Sequence, residues 1–549
     1  MFKRSSIAVL LLVLFSGVLQ AAGSQSDWTR FLDQASFGPT PAETEAWASQ
    51  HPVPWIQAQA AIPPSLYPSL PPYPANSQTG CPGTGTVYTA CITQNYTMHP
   101  LQVQFFQNAL LAPDQLRQKV AFSLSQILVV SGVKLRQPSS MAPYLNVLVN
   151  RALGNFRDLL QDVTLNPAMG RYLDMVNSDP ASTNGIVKPN ENYAREVLQL
   201  FSIGLYLLNQ DGSLIRDASG QPIPAYSQET IEGFARAFTG WTYATQQGAT
   251  PQRHNPQNFQ SPMEVYRSNG KDVNHDHGAK QLLSYPSAVS STLPANQDAA
   301  LDLTQAIDNI FYHPNVGPFI GKQLIQHLVT SNPSPDYIAR VAAAFNNNGR
   351  GVRGDLLATV QAILVDPEAR GAPLDPVNFG KLREPALYLT AFLKAMGGVS
   401  DGILNSKIQP MGQDLFNSPS VFNYYPHDYA VPGMSLQGPE FGIASTAAGI
   451  LRANLINTLV YSQINSSGTG TSISISALDT LGAMADASGL LSYLNTYLLH
   501  GALTSDVATQ IKRAMSCTKS SAGHCSNGHS RAQTALYLIA TSSLYQIQR

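Results

Sequence analysis

The sequence predicts an all-α fold: a large multi-helix single domain with long irregular loops and at most a small β-hairpin. Apolar residues return at helical spacing in segment after segment, as in Leu116, Val120, Leu124, Ile127 and Leu128. Helix starts carry caps, as at Thr40-Pro41-Ala42-Glu43, which joins a capping box to a Pro at the first helical position. Strand-like alternation is confined to short runs around Asp211-Gly212 and Asp217-Ala218-Ser219-Gly220, the expected hairpin. No period of about 20–50 residues repeats, so a solenoid is not indicated.

In chain order, a targeting signal comes first. Lys3 and Arg4 precede an apolar run from Ile7 to Leu19, and small residues Ala21, Ala22 and Gly23 follow. This is the pattern of a secretory signal peptide over residues 1–23. The run is short for a membrane span, and no later segment is long enough to be one. A periplasmic or secreted protein is expected. Its main helical domain would occupy residues 24–461, with a C-terminal helical subdomain, or a continuation of the first, over 462–549.

Residues 27–60 are expected to be helical, interrupted at Phe37-Gly38-Pro39. Residues 62–98, rich in Pro, Gly, Tyr and Ser, read as an irregular loop. Helical period returns from His99 to Gly132, with Arg117, Lys119 and Gln126 opposite the apolar face. Further helices are expected at 142–152, 155–163 and 167–175. Pro189 to Gly204 then predicts a helix that buries most of its circumference, with Asn190 as N-cap and Glu191 in the first turn. Its narrow polar stripe holds Glu191, Asn192, Arg195, Glu196, Gln199 and Ser202, a pattern that fits a shared polar network in a cleft or seam. A helix at 227–239 precedes a long irregular stretch, 243–296. Helices are expected near 298–311, 315–329, 334–346, 354–365 and 380–396, followed by a second irregular stretch at 398–440. Four more are expected near 442–461, 475–498, 503–515 and 530–547.

Charged residues make up 12% of the chain, about half the usual share. Net charge is −1, which leaves no electrostatic footprint for nucleic acid or an anionic membrane. The four cysteines fall into two local pairs, Cys81 with Cys91 and Cys517 with Cys525. In an exported chain they read as two disulfides, each worth roughly 2–3 kcal/mol by loop-closure entropy. His524 and His529 flank Cys525, but the spacing matches no structural zinc pattern.

Several stretches together resemble the bacterial domain of unknown function 1800 family (DUF 1800). They include Arg30 to Thr40, Leu116 to Ser123, Asn155 to Leu160, Asn166 to Gly170 and the Asn190 stretch. Phe238-Thr239-Gly240-Trp241, His275-Asp276, His313 to Phe319, Lys381-Leu382-Arg383-Glu384-Pro385 and Ser420 to Asn423 extend the likeness over nearly the whole mature chain. The resemblance implies an exported, mainly helical bacterial protein of unestablished activity. It also implies a partner, a co-encoded secreted protein similar to sulfatases and alkaline phosphatases.

The sequence has no H-E-x-x-H, and its G-x-S-x-G (398–402) and G-x-G-x-x-G (349–354) matches fall outside the strand-to-helix context that those motifs need, so lipase-like, zincin and nucleotide-dependent readings lose their support. Two readings remain. In the first, an exported hydrolase or modifying enzyme acts on an extracellular glycan or polymer. Glu191, Arg195, Glu196, His275, Asp276 and Glu384 are its catalytic candidates, and Asn192, Arg383, Asn423 and Tyr424 its substrate contacts. Glu191 or Glu196 would serve as acid or base, tuned by Arg195. A divalent metal at His275 and Asp276 is the weaker variant, because the stretch supplies too few ligands. In the second reading the same residues form a structural network in a non-catalytic scaffold or binding module that works with the secreted partner. The first reading requires His275, Asp276 and the polar stripe to surround one pocket.

Overall fold

The computed structural model describes residues 24–371 and 378–549; the expected signal peptide lies outside them. Within them the protein is all-α, with 26 helices and four antiparallel pairs of two-residue strands. The predicted hairpin is present as three isolated bridges: Tyr206 with Pro224, Leu208 with Leu214, and Arg216 with Pro222. Helix entries form where cap chemistry dictates. The Thr40 side chain accepts from the Glu43 amide to start Pro41–Trp47, and Asn155 accepts from Arg157 to start Phe156–Leu165.

Several elements depart from expectation, among them the short helices Ser77–Gly80 and Asn405–Ile408 within two of the segments read as irregular. Gly85–Asn95 is a helix inside the segment read as irregular. It buries none of its residues, so it carries no apolar period to detect. The Cys81–Cys91 disulfide ties it down, with Cα atoms 5.7 Å apart, and Cys517–Cys525 spans 5.2 Å. The expected 475–498 helix is two, Ser476–Ala483 and Ser488–Leu499, divided at Ala487 with φ 53°. The Asn190 helix is shorter, Asn192–Gln199, with Glu191 at the cap position and Asn190 Oδ1 accepting from the Asn192 amide.

That helix ends for a local reason. The amides of Ile203 and Gly204 both turn back to the Leu198 carbonyl at 3.0 Å, and Gly204 takes φ 81°. A Cβ there would stand 2.8 Å from the Phe319 ring. Gly204→Ala is therefore expected to lower the urea midpoint of unfolding, at a cost of about 1–3 kcal/mol.

One contiguous apolar cluster runs from Trp28 to Tyr545. The Gln115–Ile127 helix passes through it and is buried almost all round, Lys119 and Gln126 included. The polar face expected there is turned inward, toward partners distant in sequence. The C-terminus closes onto the same centre, where Ile547–Gln548 pairs with Lys381–Leu382.

Candidate functional site

The polar stripe of the Asn192–Gln199 helix divides into a surface part and a buried part. Arg195 Nη2 donates to Glu191 Oε2 at 2.9 Å, and Gln228 Nε2 reaches the same oxygen at 2.9 Å. Asn192 donates to Asp174 at 3.4 Å. With Arg195 42% exposed, this pair is worth at most about 0.5 kcal/mol. Glu196 turns inward. Its Oε2 is buried without a hydrogen-bond partner, and burial pushes its carboxyl above the usual range against the pull of Arg195. Its charge adds to burial in raising the Tyr172 and Tyr226 phenols, and the Tyr226 hydroxyl is likewise buried and unpaired.

His275 and Asp276 belong to a separate network. His275 shares hydrogen bonds through Nδ1 with the Thr239 carbonyl and through Nε2 with Asp302 Oδ2, both at 2.9 Å. Lys280 Nζ stands 2.7 Å from the same Asp302 oxygen, and Gln297 donates to the other at 2.6 Å. Arg236 clamps Asp276 with two bonds of 2.9 Å. The His275, Asp302 and Lys280 side chains are fully buried. Burial alone would raise Asp276 and Asp302, but Arg236 on one and His275 with Lys280 on the other hold both below the usual carboxylate range. The two clusters sit at opposite ends of the Gln228–Ala237 helix. From Gln228 to Arg236 is eight residues, a rise of about 12 Å.

Of the remaining candidates, Asn423 lines a narrow cleft of about 30 Å3, room for one water-sized group, and Glu384 stands behind its wall through Gln126. Gln126 is the hub. Asn423 Nδ2 donates to its Oε1 at 2.9 Å, and its own Nε2 donates to Glu384 Oε1 at 3.3 Å. Glu384 Oε2 accepts from Gln413 at 2.5 Å and from the Tyr425 hydroxyl at 3.2 Å. Arg383, its neighbour in sequence, points elsewhere: Nη1 meets Asp33 at 2.6 Å and Nε donates to the Tyr545 carbonyl. Tyr424 donates to the Asp414 carbonyl at 2.8 Å. The Asn192–Gln199 helix reaches this cleft only through its C-cap, Leu200.

So the structure brings Glu384 and Asn423 together and leaves the other candidates apart. Glu191, Asn192 and Arg195 are at the surface, while His275 and Asp276 lie in their own seam. The cleft adds residues that the sequence did not single out as contacts: Gln323, Gln326, His327, His427 and Glu440. Gln323 Nε2 and Gln326 Oε1 are buried with no hydrogen-bond partner. Burial, and after it the neighbouring basic groups Lys381, His427 and Lys119, drive His327 well below its ordinary pKa, and burial lowers His427 too. Glu440 is held by Lys381 at 3.0 Å and by Ser331 at 3.2 Å. The available signal was Gln323, Gln326 and His327, spaced i, i+3, i+4 on a helix whose other residues, Lys322 aside, are apolar or small. Among the described residues, no group of three or more His, Cys, Asp or Glu could hold a metal ion.

Behind the cleft, burial pushes the Lys119 ammonium down to about 7, Lys381 adding to the push and Asp33 and Glu384 opposing it. An unfolded lysine keeps its proton to about pH 10.4. Between those values the unfolded chain binds a proton that the folded one lacks, so stability rises with pH across that window. Lys119→Met is expected to flatten the rise, read as thermal unfolding from about pH 7 to 9.5.

No curated protein matches the chain, and no solved structure does. A family model described as "Protein of unknown function (DUF1800)" matches residues 30–547. The chain belongs to the DUF1800 family.

Proposed function

We propose that this is an exported binding protein whose narrow Gln126–Asn423 cleft takes one hydroxyl group of a neutral, hydroxyl-rich ligand, the edge of an extracellular glycan resting on the surface above it. The observation that carries this reading is the pair of orphaned amide atoms, Gln323 Nε2 and Gln326 Oε1, in the wall of that cleft. One is a donor and one an acceptor, and buried polar atoms without partners are costly unless a ligand or water meets them. Sugar hydroxyls serve both roles. The carboxylates here are already engaged, Glu384 by three donors and Glu440 by Lys381 and Ser331. A general acid needs a proton-bearing carboxyl within reach of substrate. On this reading the secreted sulfatase- or phosphatase-like partner implied by the family would carry the chemistry.

Calorimetry of the mature protein with neutral oligosaccharides tests the proposal. Gln323→Ala and Gln326→Ala are each expected to weaken binding by about three- to tenfold, the worth of one hydrogen bond. Unchanged affinity in both variants would defeat it. The hydrolase reading keeps one specific support, the unpaired and raised Glu196. It predicts new reducing ends from the same glycans, lost in Glu196→Gln.

A further inference from the structure

We propose that a second site, a groove beside the disulfide-tied 75–97 segment, binds an acidic sugar chain through Arg136 and Arg171. The groove holds about 370 Å3 and shares no lining residue with the Gln126–Asn423 cleft. Lys134, Arg136 and Arg171 line it, and no carboxylate does. Lys134 is compensated, with Nζ 2.7 Å from Asp174 Oδ1. Arg136 and Arg171 are exposed, and among the described residues neither side chain makes an ion pair or a hydrogen bond. Elsewhere Arg151, Arg157, Arg236 and Arg267 each rest on a carboxylate. Anionic partners are not scarce in a chain with 34 acids and 33 bases, so two unmatched guanidinium groups in one groove form a local excess.

A guanidinium fork fits the paired oxygens of a carboxylate, sulfate or phosphate ester, and two in one groove suit a repeating anion. Three rings, Tyr88, Tyr96 and Phe259, supply the apolar faces on which sugar C–H surfaces pack. The walls are set beforehand. Tyr96 donates to the Pro74 carbonyl at 2.7 Å, and Gln137 Nε2 donates to the Tyr73 and Pro74 carbonyls at 3.1 Å. Cys81–Cys91 closes the segment behind them. Arg136 itself takes φ 61°, a conformation that side-chain-bearing residues seldom adopt. Rings beside cations in a concave site favour a sugar polyanion over an extended acidic peptide.

The test is calorimetry of the mature protein against four probes: oligogalacturonate, sulfated dextran fragments, neutral dextran and poly-glutamate. Saturable binding is expected for at least one acidic sugar, weakening as salt rises, and none for neutral dextran. Which acidic sugar binds separates carboxylate from sulfate ester as the anion. Arg136→Gln and Arg171→Gln are each expected to lower that affinity by about tenfold, while Gln326→Ala leaves it unchanged. Both arginines are exposed, so the variants should keep the parent thermal unfolding. The proposal fails if neither acidic sugar binds. It fails equally if the double variant binds like the parent, or if poly-glutamate binds as tightly as the sugars.

Discussion

Arg383→Met is expected to destabilise the protein by about 3–5 kcal/mol, the usual result of leaving one member of a buried ion pair alone. Asp33 is 2% exposed and receives Arg383 at 2.6 Å and His500 at 3.2 Å. The guanidinium also donates to the Tyr545 carbonyl and lies over the Tyr545 ring, 4.9 Å from its centroid. One side chain thereby joins the first helix, the Pro385–Ala395 helix entry and the C-terminus. Removing it strands a carboxylate in the core. Burial by itself would raise the Asp33 pKa, but Arg383 and His500 reverse that and hold it well below the usual range. A depressed carboxyl contributes stability that is present above about pH 4 and is lost as pH falls through its folded value. The parent should therefore weaken in acid, and Arg383→Met should lose that part of the acid dependence. Urea midpoints of both proteins from about pH 3 to 7 check it. The paired replacement of Asp33 and Arg383 by apolar residues should recover much of the loss, because the desolvation cost goes with the charges.

The same site marks the boundary of what the sequence made legible. Helices with an apolar period or a cap were readable, since both signals are local: Thr40, Asn155 and the 298–365 series fall where pattern and capping place them. Gly85–Asn95 was not, because it packs no apolar face. Side-chain partners were mostly beyond reach. Arg383 and Glu384 are adjacent in sequence and were candidates for one site, yet one turns to Asp33 and the other to Gln126 and Gln413. Lys119 and Gln126 were placed only as opposite the apolar face, because polarity along one helix does not say what packs over it. Lys119 lies over the Phe37 ring, and the partners of Gln126, which are Glu384 and Asn423, come from 258 and 297 residues away, so spacing holds no trace of them.

Asp302→Ala is the second large loss expected, again about 3–5 kcal/mol, from the seam that the His275-Asp276 motif builds. Asp302 takes His275 and Lys280 on one oxygen and Gln297 on the other, and none of the charged pair reaches water. Without it Lys280 keeps the carbonyls of Asp276 and Gly278 and a longer ion pair, 4.0 Å, to the Asp276 carboxylate that Arg236 already holds. Asp276→Asn should cost less, since Arg236 is a third exposed and can find water. The contrast separates two uses of the motif. A metal site at His275 would make the melting temperature fall on chelation, and Asp302→Ala would leave the chelator response intact. The ion-pair seam requires the opposite: both ring nitrogens are already engaged, by Thr239 and Asp302, so EDTA should leave the melting temperature unchanged while Asp302→Ala lowers it. Thermal unfolding of parent and variant, with and without EDTA, reads both. A seam holding two cations against two carboxylates fixes the 243–296 loop to the Gln228–Ala237 helix, and that helix in turn supports Glu191 and Arg195 through Gln228. Of the residues first read as one catalytic cluster, Glu191 and Arg195 thus bond to one end of that helix and Asp276 to the other, while Glu384 stands apart with Gln126 and Gln413.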